Sequence, residues 1–206
     1  MSVPGAERLR VAAMAGHTAD RGAARRALQD RSGQVRATAL GALGRMGALL
    51  PEDLLGAMSD PDPGVRRRSC ELAGQYRFAV AVDGLLRCLS DRSAVVVEAA
   101  CWSLGEVGQA SPGEAVGALA ALAAAHTEPL CREAAVAALG ALGAPEGLPA
   151  VLAALQDKPA VRRRAVVALA AFEGEQVVSA LAGAARDRDW QVRQAAEDLL
   201  GSRPRQ

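Results

Sequence analysis

Asparagine and isoleucine are absent from this 206-residue chain, Lys158 is its only lysine, and five residues are aromatic: Tyr76, Phe78, Trp102, Phe172 and Trp190. A strand-rich protein needs the β-branched and aromatic side chains that are scarce here. The 47 alanines and 25 leucines are instead the composition of close-packed helices. Arginine in place of lysine, with no Asn or Ile, is also what a GC-rich genome imposes, and the protein is read as bacterial. No apolar run reaches membrane-spanning length, because glycine and charge interrupt every stretch, so no membrane association is expected. Neither charge sign is in large excess: 24 basic against 23 acidic side chains exclude a surface built as a whole to bind a polyanion. The balance is uneven, with a net of +5 over residues 1–50 and −6 over residues 51–160. The segment Met1-Ser2-Val3-Pro4-Gly5 lacks the charged and apolar regions of a signal peptide, which predicts a cytoplasmic location. Cys70, Cys88, Cys101 and Cys131 form no CxxC pair, and each falls inside a helical pattern. They read as small buried hydrophobes rather than as disulfides or metal ligands.

What the chain has in abundance is self-similarity. The segment from Leu28 to Gly44 aligns with Met58 to Gly74, and the same frame returns at 91–105, 131–140, 157–170 and 187–201. Its anchor is an apolar residue at Val35, Val65, Val96, Cys131, Val161 and Val192, at spacings of 30, 31, 35, 30 and 31 residues. In each copy the anchor and the positions 4, 7 and 8 residues on form one stripe of a helix, as in Val35, Ala39, Ala42 and Leu43. Gly44, Gly74, Gly105 and Gly140 are expected to end these first helices in the left-handed conformation. Second helices are expected to open on Pro51-Glu52, Pro112-Gly113-Glu114, Pro145-Glu146 and Gly174-Glu175, where proline and a carboxylate suit a helix start.

A lone helical pair of this kind cannot bury both its stripes, so the copies must stack. The residue 5 after the anchor is apolar in five copies (Leu40, Cys70, Cys101, Val136, Val166) and is Glu197 in the last, as expected if it faces a following copy. Arg21 and Arg25 stand where later copies have apolar residues and read as the polar face of an N-terminal cap.

The motif Val-Arg-x-x-Ala-x-x-Ala-Leu-Gly, present at 35–44 and in part at 161–169, resembles the HEAT repeat of the phycobilin-lyase-like class. The resemblance covers essentially the whole chain. It implies an all-α, right-handed α-solenoid of about six HEAT-like helical hairpins. The expected organisation is one domain over 1–206: an N-terminal cap hairpin at 1–29, five full repeats at 30–186, a C-terminal cap helix at 187–201 and a tail at 202–206. Members of this class include scaffolds, bilin lyases and metal-dependent hydroxylases, so the fold alone assigns no activity.

The recurring charges are a loop aspartate (Asp30, Asp60, Asp91, Asp157, Asp187) and an arginine after the anchor (Arg36, Arg66, Arg132, Arg162, Arg193). They read as an Asp–Arg ladder, with carboxylates capping helix starts and bridging between repeats. His126 takes the aspartate position in one copy and Val97 the arginine position in the copy before it, so the stack is expected to be looser near 122–131. Arg66-Arg67-Arg68 and Arg162-Arg163-Arg164 suggest a phosphate grip, but successive helical residues point about 100° apart. With Glu98, Glu133 and Gln194 at the outward positions of other copies, no continuous basic stripe forms. Nucleic acid is therefore not the expected partner, although HEAT-like DNA glycosylases exist.

Deoxyhypusine hydroxylase resembles this repeat and holds two irons through His-Glu pairs. The only histidines here, His17 and His126, are not followed by Glu. No metal, cofactor or catalytic residue is expected, and no Ser-His-Asp set or phosphate-binding glycine loop occurs in the sequence. Bilin lyases work as paired subunits, and nothing in the sequence marks a tetrapyrrole pocket.

The expected function is that of a non-enzymatic scaffold or adaptor. The resemblance implies that second helices line a concave contact face. Outside their apolar stripes these helices carry small residues (Gly56, Gly84, Gly117, Ala121, Ala153, Gly183) and mostly acidic charges: Glu52, Asp53, Asp83, Glu114 and Glu146, with Arg87 the exception. Such a groove would admit a helix or a basic segment of another protein. Tyr76 and Phe78, in a turn, and Trp102, at an outward helix position, are further candidate contact anchors. The competing class is an accessory or lyase-type subunit of an enzyme.

Overall fold

The computed structural model describes residues 5–110 and 112–202. Among these the chain has no strand and folds into thirteen α-helices joined by turns and four short 3-10 segments. The first-position helices are α1 (Gly5–Thr18), α3 (Gly33–Arg45), α5 (Pro63–Gln75), α7 (Ala94–Val107), α9 (Pro129–Leu142), α11 (Pro159–Ala168) and α13 (Trp190–Ser202). They alternate with the second-position helices α2 (Arg21–Ala27), α4 (Pro51–Ala57), α6 (Val82–Cys88), α8 (Pro112–Ala125), α10 (Leu148–Ala154) and α12 (Glu175–Ala184). Consecutive helices thus pair as hairpins of the HEAT type, and the chain forms two compact units, Met1–Ser103 and Leu104–Gln206.

In the first unit α1 packs on α3 and α3 on α5, with α2 against α1 and α3, and α4 against α5. In the second, α9 packs on α8 and α11, and α11 packs on α13. The periodic leucines become the interior of each unit: Leu40, Leu43, Leu54, Leu72 and Leu85 in the first, Leu119, Leu139, Leu169 and Leu181 in the second. Each such side chain stabilises by about 2 kcal/mol on burial. The residues 5 after each anchor, from Leu40 to Val166, are buried, while Glu197 is exposed. All four cysteines are free and buried. Hydrogen bonding to the Cys88 sulfur, together with burial, pushes the Cys70 thiol far above the usual range.

The glycines expected to end the first helices do something else. Gly44, Gly74, Gly105 and Gly140 lie inside helices that run on past them; at Gly74, Gly105 and Gly140 the following first-position helix comes close, and at Gly44 the Tyr76 ring does. A methyl group on Gly140 would lie 2.8 Å from the Ala168 Cβ and 2.9 Å from its Cα. The left-handed position comes three residues later, at Gly47 and Gly143 (φ 61° in both), and at Arg77 (φ 54°). Ala19 (φ 56°) closes α1 in the same way. The N–H groups of Asp20, Ala48 and Phe78 then bond to the carbonyls of Ala15, Leu43 and Ala73, satisfying acceptors at the helix end.

The charged ladder forms, with a definite direction. Each arginine sits at the start of a first-position helix. Its Nη1 donates to a carbonyl of the turn before it, and in Arg36, Arg66, Arg132 and Arg162 Nε and Nη2 fork onto the aspartate of the turn that follows. Among the described residues Arg193 of α13 makes only carbonyl contacts, reaching Asp187 O at 2.8 Å. Arg36 thus reaches Asp30 O (2.8 Å) and Asp60 (2.7 and 2.5 Å). Arg66 forks onto Asp91 (2.6 and 2.9 Å), Arg132 onto Asp157 (2.6 and 2.7 Å) and Arg162 onto Asp187 (2.8 and 2.7 Å). Arg8 of α1 adds a rung to Asp30 at 2.8 Å. The aspartates hold their turns, each accepting a backbone N–H one or two residues on, as Asp60 does from Asp62. Capping of the helix proper falls to other residues, such as Asp62, which accepts from Gly64 and Val65.

The forks hold the carboxyls of Asp91, Asp157 and Asp187 below the usual range. At Asp60 burial works upward, and Arg36 with the Asp62 N–H outweighs it. At Asp30 the Ser32 N–H lowers the pKa and Arg8 adds to it. His126 takes over the turn role of the missing aspartate: its Nδ1 accepts the Glu128 N–H at 3.1 Å and its carbonyl accepts from Arg132 at 2.7 Å.

Candidate protein-binding face

Of the second-position helices α2, α4, α6 and α10 have seven residues each, α12 has ten and α8 has fourteen. Their outward residues are small. Gly56, Gly117, Ala121, Ala153 and Gly183 are exposed, and a methyl group on Gly56, Gly117 or Gly183 would meet nothing within 4 Å. Gly84 departs from this pattern. It is buried, and a methyl there would lie 2.6 Å from Met58 Sδ, so its smallness serves the approach of α6 to the end of α4.

In the first unit Glu52 and Asp83 are exposed, and Arg87 is exposed one turn after Asp83 on α6. Asp53 is engaged within the fold: it accepts the Leu50 N–H at 2.8 Å and pairs with Arg25 of α2. Arg25 also donates to the Ala48 carbonyl at 2.7 Å, so this arginine fastens α2 to the start of α4 rather than facing solvent as a cap. In the second unit Glu114 and Glu146 are exposed. Glu175 is exposed at the matching start of α12; the repeat pattern read it only as a helix-start acid. No Lys, Arg or His occurs within α8, α10 or α12. Glu114 and Glu175 therefore have no cation on their own helices, and Glu146, in the 3-10 segment Pro145–Gly147 that leads into α10, has none on that segment or on α10.

The aromatic candidates lie on α7 and at the end of α5 and the turn after it. The Tyr76 ring lies over Gly44 of α3 and the Trp102 ring over Gly74 of α5, while Phe78 is half-buried at the α5–α6 turn. Tyr76 remains 39% and Trp102 47% exposed, so each ring covers a neighbouring backbone and keeps accessible surface. Neither stands on a second-position helix.

In the second unit a cleft of about 630 Å³ opens among Leu152, Gln156, Arg162, Gly183, Asp187 and Arg188. Its central charges, Arg162 and Asp187, are already bonded to each other. Among the described residues no group of three or more His, Cys, Asp or Glu side chains is placed to hold a metal ion. No helix among them is long and apolar enough to cross a membrane.

Comparison with known proteins gives the same picture. The HEAT-repeat family matches residues 50–134 and 116–201. An uncharacterized phycocyanin operon protein Y of Pseudanabaena tenuis is 40% identical over 48 residues, which is 23% of this chain and 11% of that protein. The complex of CpcE and CpcF of phycocyanin lyase from Nostoc sp. PCC7120 is similar with 25% identity and a TM-score of 0.62, over 88% of this chain and 76% of that one. An engineered protein of known structure shares the fold at 16% identity and a TM-score of 0.65, over 88% of this chain and 95% of that one. With a family match across most of its length and the hairpins in place, the chain belongs to the HEAT-repeat family, and its repeats are similar to those of the phycobilin-lyase-like class.

Proposed function

We propose that this protein is a non-enzymatic, cytoplasmic adaptor that holds another protein against its second-position helices, taking a helix or a basic segment. The observation that carries the reading is chemical. Those helices present exposed Gly and Ala where a partner can approach closely, and the exposed carboxylates Glu114, Glu146 and Glu175 where α8, α10 and α12 supply no cation. In the first unit Glu52 and Asp83 offer the same chemistry, tempered by Arg87. Replacing both, Asp83→Arg with Glu52→Arg, should weaken capture of the partner from native lysate. Both side chains are exposed, so stability should fall by no more than about 0.5 kcal/mol. Undiminished capture by the folded double variant would falsify the acidic contact surface.

A second reading is favoured by the similarity to the CpcE–CpcF complex: a subunit of a lyase-type assembly, paired with another HEAT chain. Visible absorbance of the protein purified from its native host separates the two. A stoichiometric bound pigment supports the lyase-type subunit, and a colourless protein carrying a stoichiometric protein partner supports the adaptor.

A further inference from the structure

The arginine triplets, which the ladder absorbs only in part, differ between the two units in a way that reports on recognition. In the second unit Arg162 is the rung, Arg163 Nη1 donates to Gln191 at 3.2 Å, and Arg164 Nη2 pairs with Glu133 of the preceding helix at 3.3 Å. In the first unit Arg66 is the rung, and Arg68 occupies the place of Arg164. The residue matching Glu133, at the same separation of 31 positions, is Ala37. The preceding helix therefore brings no carboxylate to Arg68.

The outcome is a groove of about 520 Å³ between α3 and α5, lined in part by Ala37, Thr38 and Gly41 of α3. Arg45, Arg67 and Arg68 line it. A methyl group on Gly41 would lie 2.9 Å from Arg68 Nη2 and 3.6 Å from Arg45 Nη1, so two guanidiniums converge over bare backbone. Two carboxylates answer the three arginines. Asp62 is held by the N–H groups of Gly64 and Val65. Glu71 is shared between Arg67 (3.4 Å) and Arg68 (3.1 Å). Arg45 is exposed and enters no ion pair among the described residues.

We propose that this α3–α5 groove docks an acidic segment of a protein partner, whose carboxylate meets Arg68 and Arg45 as Glu133 meets Arg164 within the second unit. The site is separate from the second-position helices and has the opposite charge preference, so it stands or falls independently of the adaptor face.

The test uses the full chain with ¹⁵N-labelled arginine. The probe is an alanine-based helical peptide bearing glutamates one turn apart, used beside its glutamine twin. The glutamate peptide should shift the Nε–H signals of Arg45 and Arg68 saturably, and the glutamine peptide should not. Ala37→Glu supplies the missing carboxylate from α3 itself and should weaken the titration at least about five-fold while leaving the fold intact. Arg45→Gln, a change at an exposed side chain, should weaken it without touching the core. Equal shifts with both peptides, or an unchanged titration in both variants, would overturn the proposal. So would a single-stranded oligonucleotide that shifts the same signals at lower concentration than the glutamate peptide.

Discussion

Gly74 shows what one residue decides here. A methyl group on it would lie 2.7 Å from Trp102 Cζ3, 2.8 Å from Ser103 Oγ and 2.9 Å from Ser103 Cα. The ring could swing away, but the Cα is backbone of α7 at the fully buried Ser103 and cannot. Gly74→Ala should therefore destabilise the protein by about 2 kcal/mol through overpacking, read from chemical denaturation of the full chain. Gly56→Ala, which meets nothing within 4 Å, should leave it within about 0.5 kcal/mol or raise stability slightly through helix propensity. Equal losses from the two substitutions would contradict the close contact at Gly74. The sequence marks both positions only as glycine. A repeated Gly at the end of an apolar stripe is equally consistent with a helix stop and with a tight crossing, and only the path of the next helix separates the two.

At the scale of the element, the rung is what ties one hairpin to the next. Arg162 is 4% exposed and makes three hydrogen bonds, one to the Asp157 carbonyl and two to Asp187. Removing it in Arg162→Ala leaves Asp187 short of its partner and should cost about 3 kcal/mol. Arg162→Lys should recover only part of this, since an ammonium cannot reproduce the fork. Urea midpoints of the two variants check both statements, and a lysine variant as stable as the parent would contradict the bidentate role. The ladder's members were legible because Asp and Arg recur at fixed offsets. Its direction was not, because that spacing permits an arginine to pair within its own loop or with the next. Arg8 carries no repeat signal, since Glu7 stands where every other copy has its apolar anchor. Of the candidate face, the acids and small residues were readable from their helical phase. The engagement of Asp53 by Arg25 was not, because it depends on how close α2 comes to the start of α4.

For the molecule as a whole, the rungs make stability a function of pH. Asp30, Asp60, Asp91, Asp157 and Asp187 all have folded pKa values lowered from the ordinary carboxylate value. Between the folded and unfolded pKa of such a group the unfolded chain binds more protons, so stability rises with pH there. The contribution is complete above the unfolded value near about 4 and is lost as pH falls through the folded values. The urea midpoint should hold steady between neutrality and about pH 5 and then drop continuously on further acidification, and a flat profile down to about pH 3 would contradict the ladder's role. The rungs also govern how the chain finds its structure. They join residues only 22 to 25 positions apart, so every cross-link closes a short loop. A topology stitched from such neighbours has low contact order, which favours rapid collapse without a search for distant pairings, and lets growth proceed by duplicating one stitch at a time.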